Sequence, residues 1–312
     1  MFILDTQIHM FLPNTPDRPW PDIGETYNGK PESTPEQILP RMDELGIDAV
    51  AIVPAIWAGD DNGPALGWAA EHPGRFGVMG RFNLWDPDRE RIERWFDDPW
   101  MRGIRMSYPD FRGRDWIDVD TFPWFWEAAE RLGIPLMLLI YGPEVRKVAG
   151  IAERHPDLRL IVDHMGLIIG DPDTQDLWAH IDDIFPLVKY PNVYMKFSAI
   201  PDYTSEPYPY PSLTPTLRRV YDAYGPQRLM WASDTTRVRG ATWRENLDHV
   251  RYTLDFLSEE DKVWMLGRTA ATVLNWPRPE GGWEWERPAP DAIGPDATGL
   301  NGIGPDATGA AR

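Results

Sequence analysis

Short apolar runs alternate along the chain with stretches of helical periodicity. Several of the runs are apolar throughout, which is typical of strands buried on both faces of a parallel sheet. They predict eight strands, at 2–8, 49–54, 75–81, 102–107, 135–141, 158–163, 192–198 and 228–233. The intervening patterns predict amphipathic helices, most clearly at 35–46, 123–132, 143–155 and 245–257.

The alternation of strand and helix predicts the fold class. Eight βα units favour a (β/α)₈ TIM barrel, in a distorted form and as a single domain. The strand count alone does not establish closure, so a doubly wound open sheet remains the alternative. Gly46 and Gly133 follow predicted helices and suit left-handed caps, while Pro35 and Pro143 suit first helical positions. No glycine-rich nucleotide-binding motif follows a predicted strand.

Two predicted connections and the C-terminal segment are unusual. Residues 10–34 and 199–212 form long loops, which in compact domains are commonly lids or binding loops, although lineage-specific decoration is an equal alternative. The heptapeptide IGPDATG recurs at 293–299 and 303–309 without an apolar face. We therefore expect a barrel domain over 1–280 and a flexible tail over 281–312, in which Trp283 and Trp285 still pack on the body.

The composition of the chain excludes some kinds of site and disfavours some classes of binding partner. The chain has 312 residues, a net charge of −18 and no cysteine, which excludes disulfides and thiolate metal sites. The acidic balance disfavours nucleic acid and anionic membranes, and no apolar run approaches the about 20 residues of a membrane helix. The N-terminus does not resemble a secretory leader. We expect a cytoplasmic protein that acts on a small anionic substrate and binds neither nucleic acid nor a membrane. Its oligomeric state is either a monomer or a homodimer.

Polar side chains stand at the carboxyl ends of the predicted strands, where a barrel gathers its chemistry. His9 taken alone is better explained as a structural histidine, but His164 and Asp234 also end strands, and the three together indicate a site. The remaining histidines fit structural roles, namely His72, His155, His180 and His249. The other polar residues at strand ends are Asp5, Gln7, Arg81, Arg105, Ser107, Tyr108, Tyr141, Asp163, Lys196, Ser198 and Ser233.

Ordered segments over residues 2–276 carry a family resemblance. The chain resembles the amidohydrolase superfamily in its amidohydrolase-2 branch, nearest the group with 2-pyrone-4,6-dicarboxylate lactonase and sugar-lactone hydrolases. The resemblance implies a distorted TIM barrel with its site at the carboxyl ends of the strands. The segments are LDTQIH (4–9), RGIR (102–105), HPDLRLIVDHMG (155–166), VYMKFSAI (193–200), QRLMWASDTT (227–236) and LSEEDKVWMLGRTAATVLNW (257–276).

The chain departs from this family at its metal ligands. The first-strand motif His-x-His reads Gln7-Ile8-His9, and Tyr141 stands where metal-binding members commonly have a histidine. His9, His164 and Asp234 would remain for a metal, with Gln7 as a poor neutral ligand, whereas zinc sites want about three good protein ligands. Because the lactonase branch contains metal-independent members, we expect no required cofactor, with one zinc or manganese ion as the alternative.

The resemblance also implies roles for the site residues. Asp234 is the candidate base for the attacking water, and His164 and His9 would polarise the carbonyl or protonate the leaving alkoxide, in either assignment. Tyr141 could donate to the carbonyl oxygen. Arginine suits bidentate binding of a substrate carboxylate. The candidate substrate-binding residues are Arg81, Arg105, Gln7 and, more weakly, Lys196 and Arg237.

The predicted function is hydrolysis of a lactone or similar ester of a small carboxylated substrate. The alternatives are metal-dependent, non-oxidative decarboxylation of an aromatic or enoic acid, and a non-catalytic binding protein on a decayed barrel. Aromatic residues near the strand-end loops indicate a flat or aromatic-lined pocket, or else lid packing. They are Trp20, Tyr27, Trp57, Trp85 and Tyr208.

Overall fold

Eight parallel strands form one sheet whose spatial order follows the chain order. The computed structural model describes residues 1–20, 29–55, 60–110, 113–168, 170–238, 240–280, 282–283 and 285. All eight predicted strands are confirmed, with ends shifted by at most two residues. They are β1 (Leu4–Ile8), β2 (Ala49–Ile52), β3 (Phe76–Gly80), β4 (Met101–Ser107), β5 (Leu136–Leu139), β6 (Leu160–Val162), β7 (Val193–Ser198) and β8 (Leu229–Ala232).

Side chains of β1 close the seam between the first and last strands. Thr6 Oγ1 donates to the Trp231 carbonyl at 2.7 Å, and Asp5 Oδ1 accepts from the Ser233 amide at 2.9 Å. The amide of Asp234 donates to the carbonyl of Gln7 at 3.1 Å. These bonds bring β8 beside β1, so the sheet is a nearly closed barrel and the open-sheet alternative is wrong.

The strands alternate with short helices on the outside of the barrel. Gly46 and Gly133 end their helices in the left-handed conformation, with φ of 68° and 66°, as predicted. The helices are α1 (Pro35–Leu45), α2 (Gly63–Glu71), α3 (Arg89–Glu93), α4 (Pro123–Leu132), α5 (Val148–Arg154), α6 (Thr214–Tyr224), α7 (Trp243–Asp248), α8 (Glu259–Val263) and α9 (Thr269–Val273). A 3₁₀ helix, Ile181–Lys189, lies between β6 and β7.

Two predicted helices differ from the structure. The segment 143–155 divides into a 3₁₀ helix, Gly142–Lys147, and α5. The segment 245–257 begins earlier, at Trp243, because Thr242 accepts from the Glu245 amide and forms a capping box. It continues as a π-helical turn, His249–Thr253, and ends before Leu254.

Apolar side chains pack on both faces of the sheet. The larger cluster lies between the strands and the outer helices. A second cluster takes the alternate positions of the strands, including Ala49, Ala51 and Met137, and continues into α9 and Trp276. Because successive strand residues point to opposite faces, this second cluster fills the barrel interior. Its small and flexible side chains leave room there for polar groups.

The predicted tail lies mostly outside the described residues, as do both IGPDATG copies, and the domain boundary near residue 280 stays a prediction. Trp283 packs edge-on against Phe2 at 5.0 Å and stacks on Trp285 at 4.6 Å, so the expected packing of these aromatics is confirmed. In the described part of the chain, each helix is too short or too polar to cross a bilayer.

Candidate active site

Three strand ends bring His9, His164 and Asp234 together. His9 follows β1, His164 follows β6 and Asp234 follows β8. The Nε2 atom of His9 lies 3.4 Å from Asp234 Oδ1, and the Nε2 atom of His164 lies 3.6 Å from Asp234 Oδ2. All three side chains are buried. The chain thus assembles two imidazoles on the two oxygens of one carboxylate, and we call this group the His–Asp cluster.

Backbone strain accompanies the cluster. His164, Met165 and Asp234 adopt the left-handed conformation, with φ of 51°, 55° and 52°. This conformation costs a non-glycine residue on the order of 1 kcal/mol, and such outliers concentrate at functional sites. The turn Asp163–Gly166 aims His164 inward, and the Asp234 carbonyl accepts from the amides of Arg237 and Val238 at 2.8 and 2.9 Å. Two candidate catalytic residues are therefore held in strained, hydrogen-bonded turns.

The hydrogen bonds of His9 determine which ring nitrogen carries the proton. Nδ1 lies 2.9 Å from the Val53 carbonyl oxygen, which can only accept, so Nδ1 is the donor. Burial lowers the pKa of His9 to about 4, against the opposing effect of Asp234. At neutral pH the ring is uncharged, and Nε2 presents a lone pair toward Asp234.

His164 is held differently, through a hydroxyl group. Its Nδ1 lies 2.8 Å from Ser198 Oγ, which also lies 3.3 Å from the Lys196 carbonyl. Burial lowers the pKa of His164 to about 3, so this ring is also neutral. Since a hydroxyl can donate or accept, rotation of Ser198 permits either tautomer. His164 can therefore present a proton on Nε2, which His9 in its neutral state cannot.

Asp234 is held ionised by an arginine. Arg237 Nε donates to Asp234 Oδ2 at 2.6 Å, and Arg237 Nη1 pairs with Asp202 at 3.0 Å. Burial alone would raise the pKa of Asp234, but Arg237 and the two histidines outweigh it and hold the pKa well below its usual range. Within the described residues, the buried Oδ1 atom accepts no hydrogen bond. This oxygen is left free for a proton or a donor.

A second polar layer lies in the barrel interior. Lys196 is fully buried, and its ammonium contacts Gln7 Oε1 and, at 3.2 Å, Asp163 Oδ1. Arg105 Nε donates to the other oxygen of Asp163 at 3.2 Å, and Arg105 Nη1 donates to Ser107 at 2.9 Å. Burial lowers the pKa of Lys196, an effect that Asp163 opposes. This layer thus holds two cations, Lys196 and Arg105, against one carboxylate, Asp163.

The predicted substrate-binding residues fall into different settings. Arg81 is buried near His9 and donates through Nε to the Pro54 carbonyl at 2.9 Å. Gln7 and Lys196 contact each other in the interior. Tyr141 is half-buried after β5, and among the described residues its hydroxyl has no hydrogen bond with the His–Asp cluster. Around the cluster the cations Arg81, Arg105, Lys196 and Arg237 outnumber the carboxylates Asp163, Asp202 and Asp234.

Sequence reasoning assigned no role to Asp163, Ser198 and Asp202. Asp163 ends an apolar strand directly before His164, so its position at the strand end is visible in the sequence, whereas its partners are not. Ser198 stands two residues after Lys196 on β7, so both side chains share one strand face. Asp202 lies in the loop after β7 and carried no signal, since only folding places it on Arg237. Of the histidines assigned to structure, His155 pairs with Glu130 at 2.8 Å.

The donor set does not suit a zinc ion. Gln7 turns its oxygen to Lys196, and Arg237 occupies one oxygen of Asp234, so few free ligand atoms remain near His9. Throughout the described part of the chain, no group of three or more histidine or acidic side chains has a metal-holding arrangement. Zinc sites in proteins want about three good protein ligands. The residues present therefore do not fit a resident divalent ion.

A largely apolar cavity of about 120 Å³ opens between the loops that follow β1 and β2. Arg18 and Asp61 also line it and pair at 3.5 Å. Trp20 is thus a pocket residue, whereas Trp85 packs on Phe122 and Tyr208 on Tyr210. Tyr27 and Trp57 lie outside the described residues. The apolar lining comes from Met10, Phe11, Trp20, Pro54, Ala55 and Ala65.

Comparisons with known proteins agree with this architecture. The family model for amidohydrolases matches residues 4–276. The chain is 26% identical to the L-fucono-1,5-lactonase of Burkholderia ambifaria over 239 residues, which cover 75% of this chain and 80% of the relative.

Solved structures share the fold at lower identity. An amidohydrolase from Burkholderia multivorans with bound zinc is 22% identical with a TM-score of 0.71, covering 89% of this chain and all of that one. A probable 2-pyrone-4,6-dicarboxylic acid hydrolase from Acinetobacter baumannii with citric acid bound is 16% identical with a TM-score of 0.69, covering 88% and 100%. The 5-carboxyvanillate decarboxylase of Sphingomonas paucimobilis is 16% identical with a TM-score of 0.63, covering 88% and 99%. The match over residues 4–276 and the barrel with its strand-end cluster show that this chain belongs to the amidohydrolase family.

Proposed function

We propose that the chain is a hydrolase that opens a lactone or similar ester of a small carboxylated substrate, with Asp234 as the base. One observation carries the proposal, namely the buried Oδ1 of Asp234, which accepts no hydrogen bond from the described residues and faces the unprotonated Nε2 of His9 across 3.4 Å. Two neighbouring acceptors suit a water molecule that donates a hydrogen to each and keeps a lone pair for attack. The likeness to a sugar lactonase supports the same reaction.

In the proposed mechanism the attack of water is coupled to proton transfer. The water oxygen bonds to the lactone carbonyl carbon while one of its protons passes to Asp234 Oδ1. His9 orients the water by accepting its second hydrogen through Nε2, in place of the long 3.4 Å contact with the Gln7 amide. Positioned proton transfer of this kind contributes about 10²–10⁴-fold to a rate. Asp234 can serve because Arg237 holds it ionised.

His164 completes the reaction as the acid. When the Ser198 hydroxyl turns from the Lys196 carbonyl to donate to Nδ1, the proton of His164 lies on Nε2, which faces the site 3.6 Å from Asp234 Oδ2. This proton passes to the alkoxide as the ring carbon–oxygen bond breaks, and the proton on Asp234 then replaces it. The product is a ring-opened hydroxy acid, and the enzyme returns to its starting state.

The charges around the cluster favour an anionic substrate. Arg81 and Arg105 are buried guanidinium groups near His9, where a substrate carboxylate would offset their charge. Planar guanidinium suits carboxylate recognition. The surroundings of the His–Asp cluster are therefore a local cationic region in a chain whose net charge is −18.

Decarboxylation is the second candidate, because a solved decarboxylase shares the fold. The donor set around His9 does not fit the divalent ion that this alternative was expected to use, which places the candidate second. A non-catalytic role is disfavoured by the strained cluster, since strain without function would only reduce stability.

Product analysis tests the proposal. Purified full-length chain is assayed with a panel of sugar lactones and carboxylated lactones, and with aromatic carboxylic acids. We expect ring-opened acid from a lactone, detected as proton release, and no carbon dioxide from the aromatic acids. Release of carbon dioxide, or turnover of neither class, would reject lactone hydrolysis.

A further inference from the structure

The contacts of Lys196 determine which way the Gln7 amide faces. The Lys196 ammonium is fully buried on β7 and contacts Gln7 Oε1 and Asp163 Oδ1. Because an ammonium has only donors, the amide oxygen of Gln7 must turn toward it. The amide nitrogen of Gln7 consequently points the other way, to His9.

The same reasoning extends one residue further. The Gln7 amide nitrogen lies 3.4 Å from His9 Nε2 and can only donate, so Nε2 is the acceptor. On the opposite side of the ring, Nδ1 must donate to the Val53 carbonyl at 2.9 Å. The Gln7 amide and the Val53 carbonyl therefore require the same tautomer of His9, with the proton on Nδ1.

We propose that Lys196 is a positioning residue that acts through Gln7 to keep Nε2 of His9, the ring nitrogen that faces Asp234, unprotonated. The inference rests on the proposed function for the role of His9, while the relay itself is a property of the free protein. In this arrangement Lys196 acts on His9 through Gln7 and not through a direct contact. Its positive charge is held in place by Asp163. It orients Gln7, and through Gln7 also His9, as a bound metal ion would orient the residues of the first strand.

A cation is needed because an amide can turn over. The oxygen and nitrogen of glutamine are nearly equal in size, so a flipped Gln7 would fit the same space. The flipped amide would present its oxygen to His9 and require a proton on Nε2, which would remove the acceptor from the site. The buried ammonium prevents this, because a flip would set the amide N–H₂ against it.

The test reads the tautomer of His9 directly, by ¹⁵N NMR of the labelled full chain without substrate. In the wild type we expect His9 to show a protonated Nδ1 and an unprotonated Nε2. Gln7→Glu keeps an acceptor on Lys196, now as an ion pair, but places a carboxylate oxygen instead of the amide N–H₂ on His9, so Nε2 should become protonated. Lys196→Met should give mixed His9 signals and lower kcat/KM about tenfold, the effect of one lost orienting hydrogen bond. The exposed Lys189→Met is the matched control and should match the wild type in both measurements.

The outcomes separate the relay from the reaction. A wild-type His9 pattern in Gln7→Glu would overturn the relay, and this variant keeps the buried charges paired even where Lys196→Met fails to fold. The expected shifts in a protein that hydrolyses no lactone would support the relay and reject the proposed function. Lactone hydrolysis with an unprotonated Nδ1 on His9 in the wild type would reject the relay alone.

Discussion

The Nε2 atom of His9 and the Oδ1 atom of Asp234 face each other across 3.4 Å, and both are hydrogen-bond acceptors at neutral pH. Two buried acceptors at this separation repel unless one donor group hydrogen-bonds to both. In the proposed reaction that donor is the attacking water, and the pair is the source of the chemistry rather than a salt bridge. The predictions below test this relationship and the groups that hold it in place.

Replacing Asp234 by asparagine should remove the base while keeping the shape of the side chain. We expect kcat to fall by about 10²–10⁴-fold, the usual contribution of a positioned base. Asp222, an exposed residue paired with Arg218, supplies the matched control Asp222→Asn, which should retain wild-type turnover. Steady-state kinetics and circular dichroism check both variants, and a wild-type rate in Asp234→Asn would eliminate Asp234 as the base.

Arg237 should support stability as well as chemistry. Its guanidinium joins Asp234 to Asp202, and all three side chains are at most 17% exposed. Arg237→Met leaves both carboxylates without this partner, and breaking a largely buried pair costs on the order of 3 kcal/mol. Chemical denaturation should show this loss, whereas the exposed Arg218→Met should change the free energy of unfolding little. Equal stability of the two variants would contradict the role given to Arg237.

The pH dependence of catalysis should carry the signature of a buried histidine. Burial lowers the pKa of His9 to about 4, so the acceptor on Nε2 persists well below the ordinary histidine pKa of about 6.5. We expect kcat/KM to hold from pH 7 to about pH 5 and to fall near pH 4. A pH–rate profile checks this, and an acid limb near pH 6.5 would show that His9 titrates as an exposed residue.

Protonation should also weaken the fold in acid. His9 and His164 have lowered pKa values, to about 4 and about 3, so between those values and about 6.5 the unfolded chain binds more protons than the folded one. Their contribution to stability is therefore complete at neutral pH and declines as the pH falls from about 6.5. Burial also lowers the pKa of His249 to about 4, whereas it raises the pKa of Asp5 to about 6, so one opposing group stands against three histidines. The free energy of unfolding should decrease between pH 7 and pH 4, and an increase over this range would contradict the assignment.

Metal removal should leave the enzyme unchanged. The donor set around His9 does not fit a divalent ion, so exhaustive chelation should preserve kcat and added zinc should not raise it. Elemental analysis of the purified protein checks the same point independently. A stoichiometric, tightly held ion whose removal abolishes turnover would refute the metal-free site.

Much of the scaffold could be predicted because its signals are local. Apolar runs, helix periodicity and the glycines at 46 and 133 describe short segments, and all eight strands follow from them. The division of residues 143–155 into 3₁₀ and α-helical parts could not be predicted, because the competing hydrogen bonds differ by little free energy. The strand-end positions of His9, His164 and Asp234 were also visible, since each follows an apolar run.

The sequence by itself determined the eight βα units and the polar residues at their strand ends, since strand, turn and cap patterns act over a few positions. Only the tertiary structure decided their partners. Lys196 meets Gln7 across 189 positions of the chain, and His9 meets the Val53 carbonyl across 44. Such contacts depend on how the strands close into a barrel. Closure brings buried donors and acceptors together, and these contacts determine which atom of each side chain carries the proton. The sequence therefore shows that Gln7 replaces the first histidine of the family motif, whereas only the fold shows that the buried ammonium of Lys196 holds the Gln7 amide.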